Sequence, residues 1–459
     1  MAGIRRVFTN AAKKTTQFAL TLGPGSASLV KTTGHLRRMF MEGSALGGVT
    51  TPLAESLVLP NGTVLSNRLA KAAMSECLGD ARSAPTERHV ALYERWASGG
   101  AGLLITGNVM VDRRALGEAG NVAVEDDRDL PMLSRWAAAA KAGGAVTLAQ
   151  LNHPGRQVLA GVSARPVAPS AVGVRGAAGI FRTPRELTGA EIEALIARFA
   201  AAAAVMVGAG FDGVEIHAAH GYLISQFLSP LTNLRTDAWG GDLAGRSRLL
   251  LEVVRAVRFA VGSDAVVAVK LNSADFQRGG FDRHDAVEVV GMLNNEPVDL
   301  VEISGGTYES TAFMGVPAQP VKASTRAREA YFVDFAEEVR DGLRVPLMVS
   351  GGFRTVAGMA AALDSGAVDV IGLGRPLALE PDLARRFLDG TAAASTVRPR
   401  QLGWRRFDGM TDLIWHTTQL QRMGRRRDPK PGRHPLLTLA EYSWHYAPYL
   451  AHRITGGLR

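Results

Sequence analysis

The chain has 459 residues, 52 Lys+Arg against 43 Asp+Glu, 46% hydrophobic residues and 51 glycines, a soluble globular balance fitting one large domain with extensions or a few smaller ones. Its single cysteine, Cys77, excludes an intramolecular disulfide, a Cys-based structural zinc site and a four-thiolate iron–sulfur cluster within the chain. The formal charge of +9 divides into +6 over residues 1–50, +8 over residues 392–459 and −5 between them, so the basicity belongs to the flanks and no nucleic-acid partner is expected.

Residues 1–50 are poor in acids and rich in Lys, Arg, Ser and Thr. They read as a basic N-terminal extension, either a disordered tail or a mitochondrial-type targeting segment. A cytoplasmic protein is the expectation, with a mitochondrial one as the alternative. Gly23-Pro24-Gly25 interrupts the only apolar run there, against a secretory signal. The longest apolar stretch of the chain, Ala194 to Gly210, contains Arg198 and reads as a buried helix rather than a membrane span.

From residue 51 to 391 short Val/Ile/Leu runs alternate with amphipathic stretches. Strands are predicted at Arg68–Ala73, Gly102–Thr106, Val146–Leu151, Gly213–His217, Val266–Leu271, Leu300–Ser304, Leu347–Ser350 and Val370–Leu373. Helices are predicted at Met132–Ala142, Ala190–Val207, Arg246–Val261, Asp285–Leu293, Arg328–Asp341, Val356–Leu363 and Ala378–Leu388, with Gly210, Gly262 and Gly366 just past helix ends. Eight strands at this rhythm predict an α/β fold, a (β/α)8 TIM barrel. An open doubly wound sheet is the rival, but no GxGxxG follows an early strand. The insertion at residues 152–187, rich in Pro, Gly, Arg and Ser, is expected over a barrel mouth. Residues 392–459 form a second basic extension, with Arg425-Arg426-Arg427 and a Trp/Tyr-containing stretch, Leu436 to Leu450, that would pack on the barrel or on a second subunit.

In such a barrel, chemistry sits at the C-terminal ends of the strands. There the chain places Met74 and Ser75, Asn108, Gln150, His217 with His220 and Tyr222, Lys270, Ser304-Gly305-Gly306, Ser350-Gly351-Gly352 and Gly372-Leu373-Gly374-Arg375. Two glycine clusters and an Arg after the last strands suit a phosphate-bearing ligand, although glycines also serve tight turns. Lys270 within an apolar strand must find an anion or lose its proton, as a Schiff-base lysine, a salt-bridged core residue or a cation facing a ligand that becomes negative. His217 and His220 can offer two N–H donors to one oxygen with the Tyr222 phenol nearby. Zinc is the competing use, without a third ligand at any nearby spacing, and bonding to backbone groups is the plain structural one.

At these positions the chain resembles the old yellow enzyme family of FMN-dependent ene-reductases. The resemblance covers roughly residues 52–390 and rests on LPNGTVLSNRLAKAAMS (59–75), GGAGLLITGN (99–108), AQLNHPGRQ (149–157), PVAPSA (166–171), AGFDGVEIHAAHGYLISQFLSPLTNLRTDAWGG (209–241), SGGF (350–353) and GLGRP (372–376). It implies FMN as cofactor and NAD(P)H as reductant, with hydride passing through flavin N5 to the β-carbon of an electron-poor alkene. It further implies that His217 and His220 hold the acceptor's oxygen while Tyr222 stands at the proton donor's place. Gln150 matches the glutamine bonding the flavin pyrimidine edge; Ala73, Met74 and Asn108 match positions whose backbone borders the ring; Gly352, Gly374 and Arg375 match the phosphate grip.

Three departures stand out. Lys270 replaces the usual Arg, keeping charge but losing the bidentate fork. Ser75 stands where relatives have Thr or Cys beside the flavin. Cys77 falls where one branch has an active-site Tyr, which suggests an altered acceptor pocket. The expected partner is a small electron-poor alkene or a quinone, with self-association left open. An NAD(P)H oxidase or quinone reductase on the same scaffold, and a non-catalytic flavin or phosphate-ligand binder, are the alternatives.

Overall fold

Strand parity decides which side chains enter the barrel, and the strands lie close to where the apolar runs predict them. The computed structural model describes residues 51–159, 162, 165–174, 181–306, 332–400 and 405–454. The basic segment 1–50 and the first residues of the helix predicted from Arg328 lie outside the described residues. Eight parallel strands form the barrel: β1 Leu69–Lys71, β2 Leu103–Met110, β3 Val146–Asn152, β4 Gly213–Ala218, β5 Val266–Asn272, β6 Leu300–Ser304, β7 Leu347–Ser350 and β8 Val370–Leu373. β1 pairs with both β8 and β2, which closes the sheet and excludes the open doubly wound alternative. β1 is shorter than predicted: the Ala72 N–H still bonds Leu373 O at 3.0 Å, but the ladder ends there. β2 runs on to Met110 through a register shift between Ile105 and Asn108.

Around the barrel lie α1 Glu87–Ala97, α2 Leu130–Lys141, α3 Gly189–Gly208, α4 Leu223–Leu228, α5 Leu243–Val261, α6 Arg283–Leu293, α7 Val333–Arg340, α8 Val356–Asp364, α9 Leu383–Leu388, α10 Arg405–Gly424 and α11 Pro435–Ile454. α1 is absent from the sequence-based expectation although its start carries a capping box, with Thr86 accepting from the Arg88 N–H and His89 Nδ1 accepting from the Thr86 N–H. The helix predicted at Ala378–Leu388 begins only at Leu383, because Pro381 holds the preceding residue out of helical geometry. Gly262 ends α5 at φ +77°, a left-handed position that side-chain-bearing residues rarely occupy.

Along β5 the side chains alternate. Val266 and Ala268 point inward to an inner core with Leu103, Ile105, Leu148, Met348 and Val370, while Val267, Val269 and Leu271 join the outer core beneath the helices. A short hairpin, Leu57–Val58 with Val64–Leu65, supplies Leu59 and Leu65 to the inner core. Each such buried Leu or Val contributes about 1.5–3 kcal/mol of transfer free energy. The next inward positions up are not apolar: they are Gln150, Glu215, His217, Lys270 and Glu302, all buried. The apolar floor thus carries a polar layer facing the C-terminal mouth.

In the 152–187 insertion, Val167–Ala168 pairs with Arg185–Glu186, and Gln157 Nε2 donates to His220 O at 2.9 Å, which ties the segment to the mouth at β4. The C-terminal helices lie on the barrel. Leu420 and Met423 of α10 join the outer core with Leu78 and Leu92, and Tyr449 of α11 donates its hydroxyl to Gly79 O. No helix among the described residues is long and apolar enough to cross a membrane.

Candidate active site

At the C-terminal ends of the strands opens a cleft of about 290 Å³. Every residue nominated from the sequence lines it: Ala73, Met74, Ser75, Asn108, Gln150, His217, His220, Tyr222, Lys270, Gly352, Gly374 and Arg375. The chain segments that carry them are separated by up to about 300 residues, and barrel closure brings them together.

His217 ends the inward-facing row of β4. Its Nδ1 accepts the Ala219 N–H at 3.2 Å, which leaves Nε2–H as the donor of the neutral ring. Burial, reinforced by the Lys270 charge, pushes the imidazole well below its ordinary value. The rings of His217 and His220 meet edge to face at 5.1 Å, and those of His217 and Tyr222 at 4.9 Å. His220 stands at φ +60°, held there by its backbone N–H on Asn272 Oδ1 at 3.0 Å, and its Nε2 lies 2.9 Å from Ser304 Oγ. Burial, His217 and Lys270 also keep His220 neutral. Tyr222 sits at the cap position before α4, directly after the positive-φ pair His220-Gly221. Backbone strain at such a point is a common companion of function.

Beneath these rings Lys270 Nζ donates to Glu302 Oε1 at 2.5 Å. Of the three readings open for this lysine, the geometry shows a salt-bridged residue that also lines the cleft. Gln150 Nε2 donates to Glu215 Oε2 at 2.6 Å. Burial and the neighbouring Glu302 charge push Glu215 well above the usual carboxylate range, whereas Glu302, despite its burial, is held below it by Lys270. Glu215 Oε1 and Glu302 Oε2 have no N–H partner, and one proton held on Glu215 and donated to Glu302 satisfies both. Neither glutamate was nominated from the sequence, though both stand at inward parity in their strands, in phase with His217 and Ser304.

On the opposite side of the cleft, Gly351 takes φ +117° and Gly352 φ +96°, turning backbone toward the opening, while the Ser350 hydroxyl beside them faces Glu302. At Gly374 an added Cβ would meet nothing nearer than Met74 at 4.0 Å, so space lies open over that backbone. Arg375 Nη1 donates to Asp412 Oδ2 of α10 at 2.9 Å. At the far rim Ser75 Oγ bonds Glu118 Oε2 and lies 3.4 Å from Cys77 Sγ. Burial raises the Glu118 carboxyl. Glu118, Asp412 and His416 also went unnominated; the last two belong to α10, beyond the stretch in which motifs were recognised.

Residues 56–393 match the NADH:flavin oxidoreductase / NADH oxidase family. The chain belongs to that family. It is 42% identical over 351 residues to the NADH-dependent flavin oxidoreductase iliE of Hypocrea jecorina, a match covering 72% of this chain and 87% of that one. Among solved structures it is similar to an old yellow enzyme homologue from Zymomonas mobilis, at TM-score 0.65 and 29% identity over 75% of this chain and 94% of the other. It is also similar to a 2-naphthoyl-CoA reductase in complex with 2-naphthoyl-CoA, at TM-score 0.71 and 25% identity, covering 82% of this chain and 58% of that one. This flavin oxidoreductase is therefore an old yellow enzyme relative that uses FMN, with NAD(P)H as reductant.

The cleft fits FMN on its own evidence. The open backbone at Gly374, the turned-out Gly351-Gly352 pair and Arg375 form a cradle suited to a phosphate and its polyol. Gln150 and Lys270 present polar groups from the barrel floor, as the edge of a planar heterocycle requires.

Proposed function

We propose that this flavin oxidoreductase reduces electron-poor alkenes conjugated to a carbonyl group. The observation that carries the reading is the ring cluster at the end of β4: two neutral imidazoles at 5.1 Å with the Tyr222 ring 4.9 Å from His217. Bound FMN supplies hydride transfer. The chain's own part is to hold and polarise the acceptor. His217 Nε2–H donates to the carbonyl oxygen, and where the Ser304 hydroxyl donates to His220 Nε2, the ring's Nδ1–H becomes the second donor. Neutral donors in a buried cleft stabilise charge that develops on that oxygen without carrying a charge into the empty site. Tyr222 O–H gives the proton that completes reduction at the carbon next to the carbonyl.

Bound FMN would be held by Ala73, Met74, Ser75 and Asn108 around its ring, by Gln150 and Lys270 at its pyrimidine edge, and by Gly352, Gly374 and Arg375 at its phosphate. Because Lys270 is paired with Glu302, its charge on that edge is partly compensated. The barrel over residues 51–391 is read as the catalytic unit, with basic extensions on both sides.

Anaerobic stopped-flow at the flavin absorbance band tests the reading, with NADH or NADPH followed by enones or quinones. Rapid reoxidation by 2-cyclohexenone is expected. Reoxidation by quinones or oxygen alone, with no enone consumption under nitrogen, would replace this proposal by an NAD(P)H oxidase or quinone reductase.

A further inference from the structure

The segment that follows the family match supplies part of the cleft wall. Residues 409, 412, 413, 416, 417 and 420 of α10 all line the cleft, a spacing that puts them on one helical face. On that face His416 is 96% buried, and its Nε2 is a buried polar atom with no hydrogen-bond partner among the described residues. The other ring nitrogen, Nδ1, lies 2.7 Å from Asp412 O, where it can only donate. A neutral His416 therefore presents a bare acceptor at Nε2.

Its surroundings locate it at the phosphate end. Asp412 Oδ2 accepts from Arg375 at 2.9 Å, and Asp412 Oδ1 accepts the Arg400 backbone N–H at 2.6 Å. The charged groups acting on His416 are Asp412 of its own helix, Arg375 after β8 and Arg400 from the segment before α10. His217 and His220 respond instead to Lys270, at the other end of the cleft. Trp415 fixes the helix rotation, its indole N–H donating to Arg433 O at 2.9 Å and its ring lying against Arg400.

We propose that His416 is a phosphate-binding residue contributed by the C-terminal extension: its Nε2 shares a proton with the FMN phosphate, while Asp412 positions both His416 and Arg375. Burial, aided by the two guanidinium charges, keeps the imidazole below its ordinary value against the pull of Asp412. A phosphate beside it reverses that balance, so binding takes up a proton. Affinity for FMN should then weaken as pH rises, by up to about tenfold per unit where the uptake is complete. This rests on FMN being the cofactor but not on which acceptor the enzyme reduces.

The test uses the full-length holoenzyme and His416→Asn, which keeps an amide donor for Asp412 O and removes only the Nε2 end. Bound flavin is quantified after gel filtration over a series of dilutions, with riboflavin as competitor, from pH 6 to 8. The expected result is FMN retention weakened about tenfold or more in the variant, riboflavin retention unchanged, and the pH dependence present in the wild type lost. Equal weakening of both flavins would show a packing role alone and overturn the proposal. So would an unchanged FMN affinity, or a wild type whose FMN affinity is flat with pH. Wild-type protein that retains neither flavin would strike the cofactor assignment itself, and this inference with it.

Discussion

Lys270 and Glu302 face each other across β5 and β6 at matched register positions, with Nζ 2.5 Å from Oε1; both are buried, and Lys270 also lines the cleft. Replacing the lysine by a neutral residue strands the buried Glu302 carboxylate with no cation beside it, next to the protonated Glu215. Lys270→Met should therefore destabilise the folded state by about 3–5 kcal/mol, the usual cost of removing one partner of a buried pair. It should also lower the flavin midpoint potential, because a nearby cation favours the reduced form. Denaturant unfolding and spectroelectrochemistry check the two effects. A stability and potential within error of wild type would mean that the pair is not intact in the holoenzyme.

Tyr222 lies against His217, and its loss should separate the two half-reactions. Tyr222→Phe is expected to slow 2-cyclohexenone reduction by about 10²–10⁴-fold, with the rate of flavin reduction by NAD(P)H little changed. Single-turnover kinetics of each half-reaction provide the check, and full enone activity in the variant removes Tyr222 from proton delivery.

Acid should weaken the fold through buried histidines. Burial pushes His89 down to about 3 and His153 down to about 4, whereas an unfolded histidine titrates near 6.5. Below pH 6.5 the unfolded chain binds protons that the folded chain refuses. Stability is thus fully present above pH 6.5 and falls with pH, by about 1.4 kcal/mol per unit for each such residue. His89 packs on Trp136 with ring centroids 4.5 Å apart and accepts the Thr86 N–H. His89→Gln keeps an acceptor there, and urea unfolding of holoenzyme at pH 7, 6 and 5 should show a shallower pH slope in that variant.

Cys77 should be inert in the native protein. Its thiol is buried and pushed well above the ordinary range, by burial first and then by the Glu118 charge. A thiolate-specific disulfide reagent at pH 8 should find no reactive thiol in native holoenzyme and one per chain in denaturant. Rapid native labelling would show that the rim formed by Ser75, Cys77 and Glu118 opens in solution.

Much of this was legible as pattern. The bounds of β6, β7 and β8 fall where the apolar runs put them, because a strand buried on both faces is apolar along most of its length, with polar residues only near the cleft. The string around His217 and the glycine clusters after the last two barrel strands identified the family and the cleft-lining residues, since local backbone needs and ligand contacts both restrict residue type. α1 was missed because its capping box is closed by His89 rather than the usual Glu or Gln, and the helix predicted at Ala378–Leu388 was overextended across Pro381.

The partnerships were not legible. Nothing in the order of residues says that Lys270 spends its charge on Glu302, that Glu215 keeps a proton, or that Asp412 reaches Arg375 from a helix outside the recognised stretch. Residue type and periodicity follow from short-range chemistry, so a sequence displays fold class, strand phase and the polar rows at strand ends. Which charges meet, and which groups are buried deeply enough to change protonation, depends on barrel closure and on where α10 comes to rest. Those are long-range outcomes of packing.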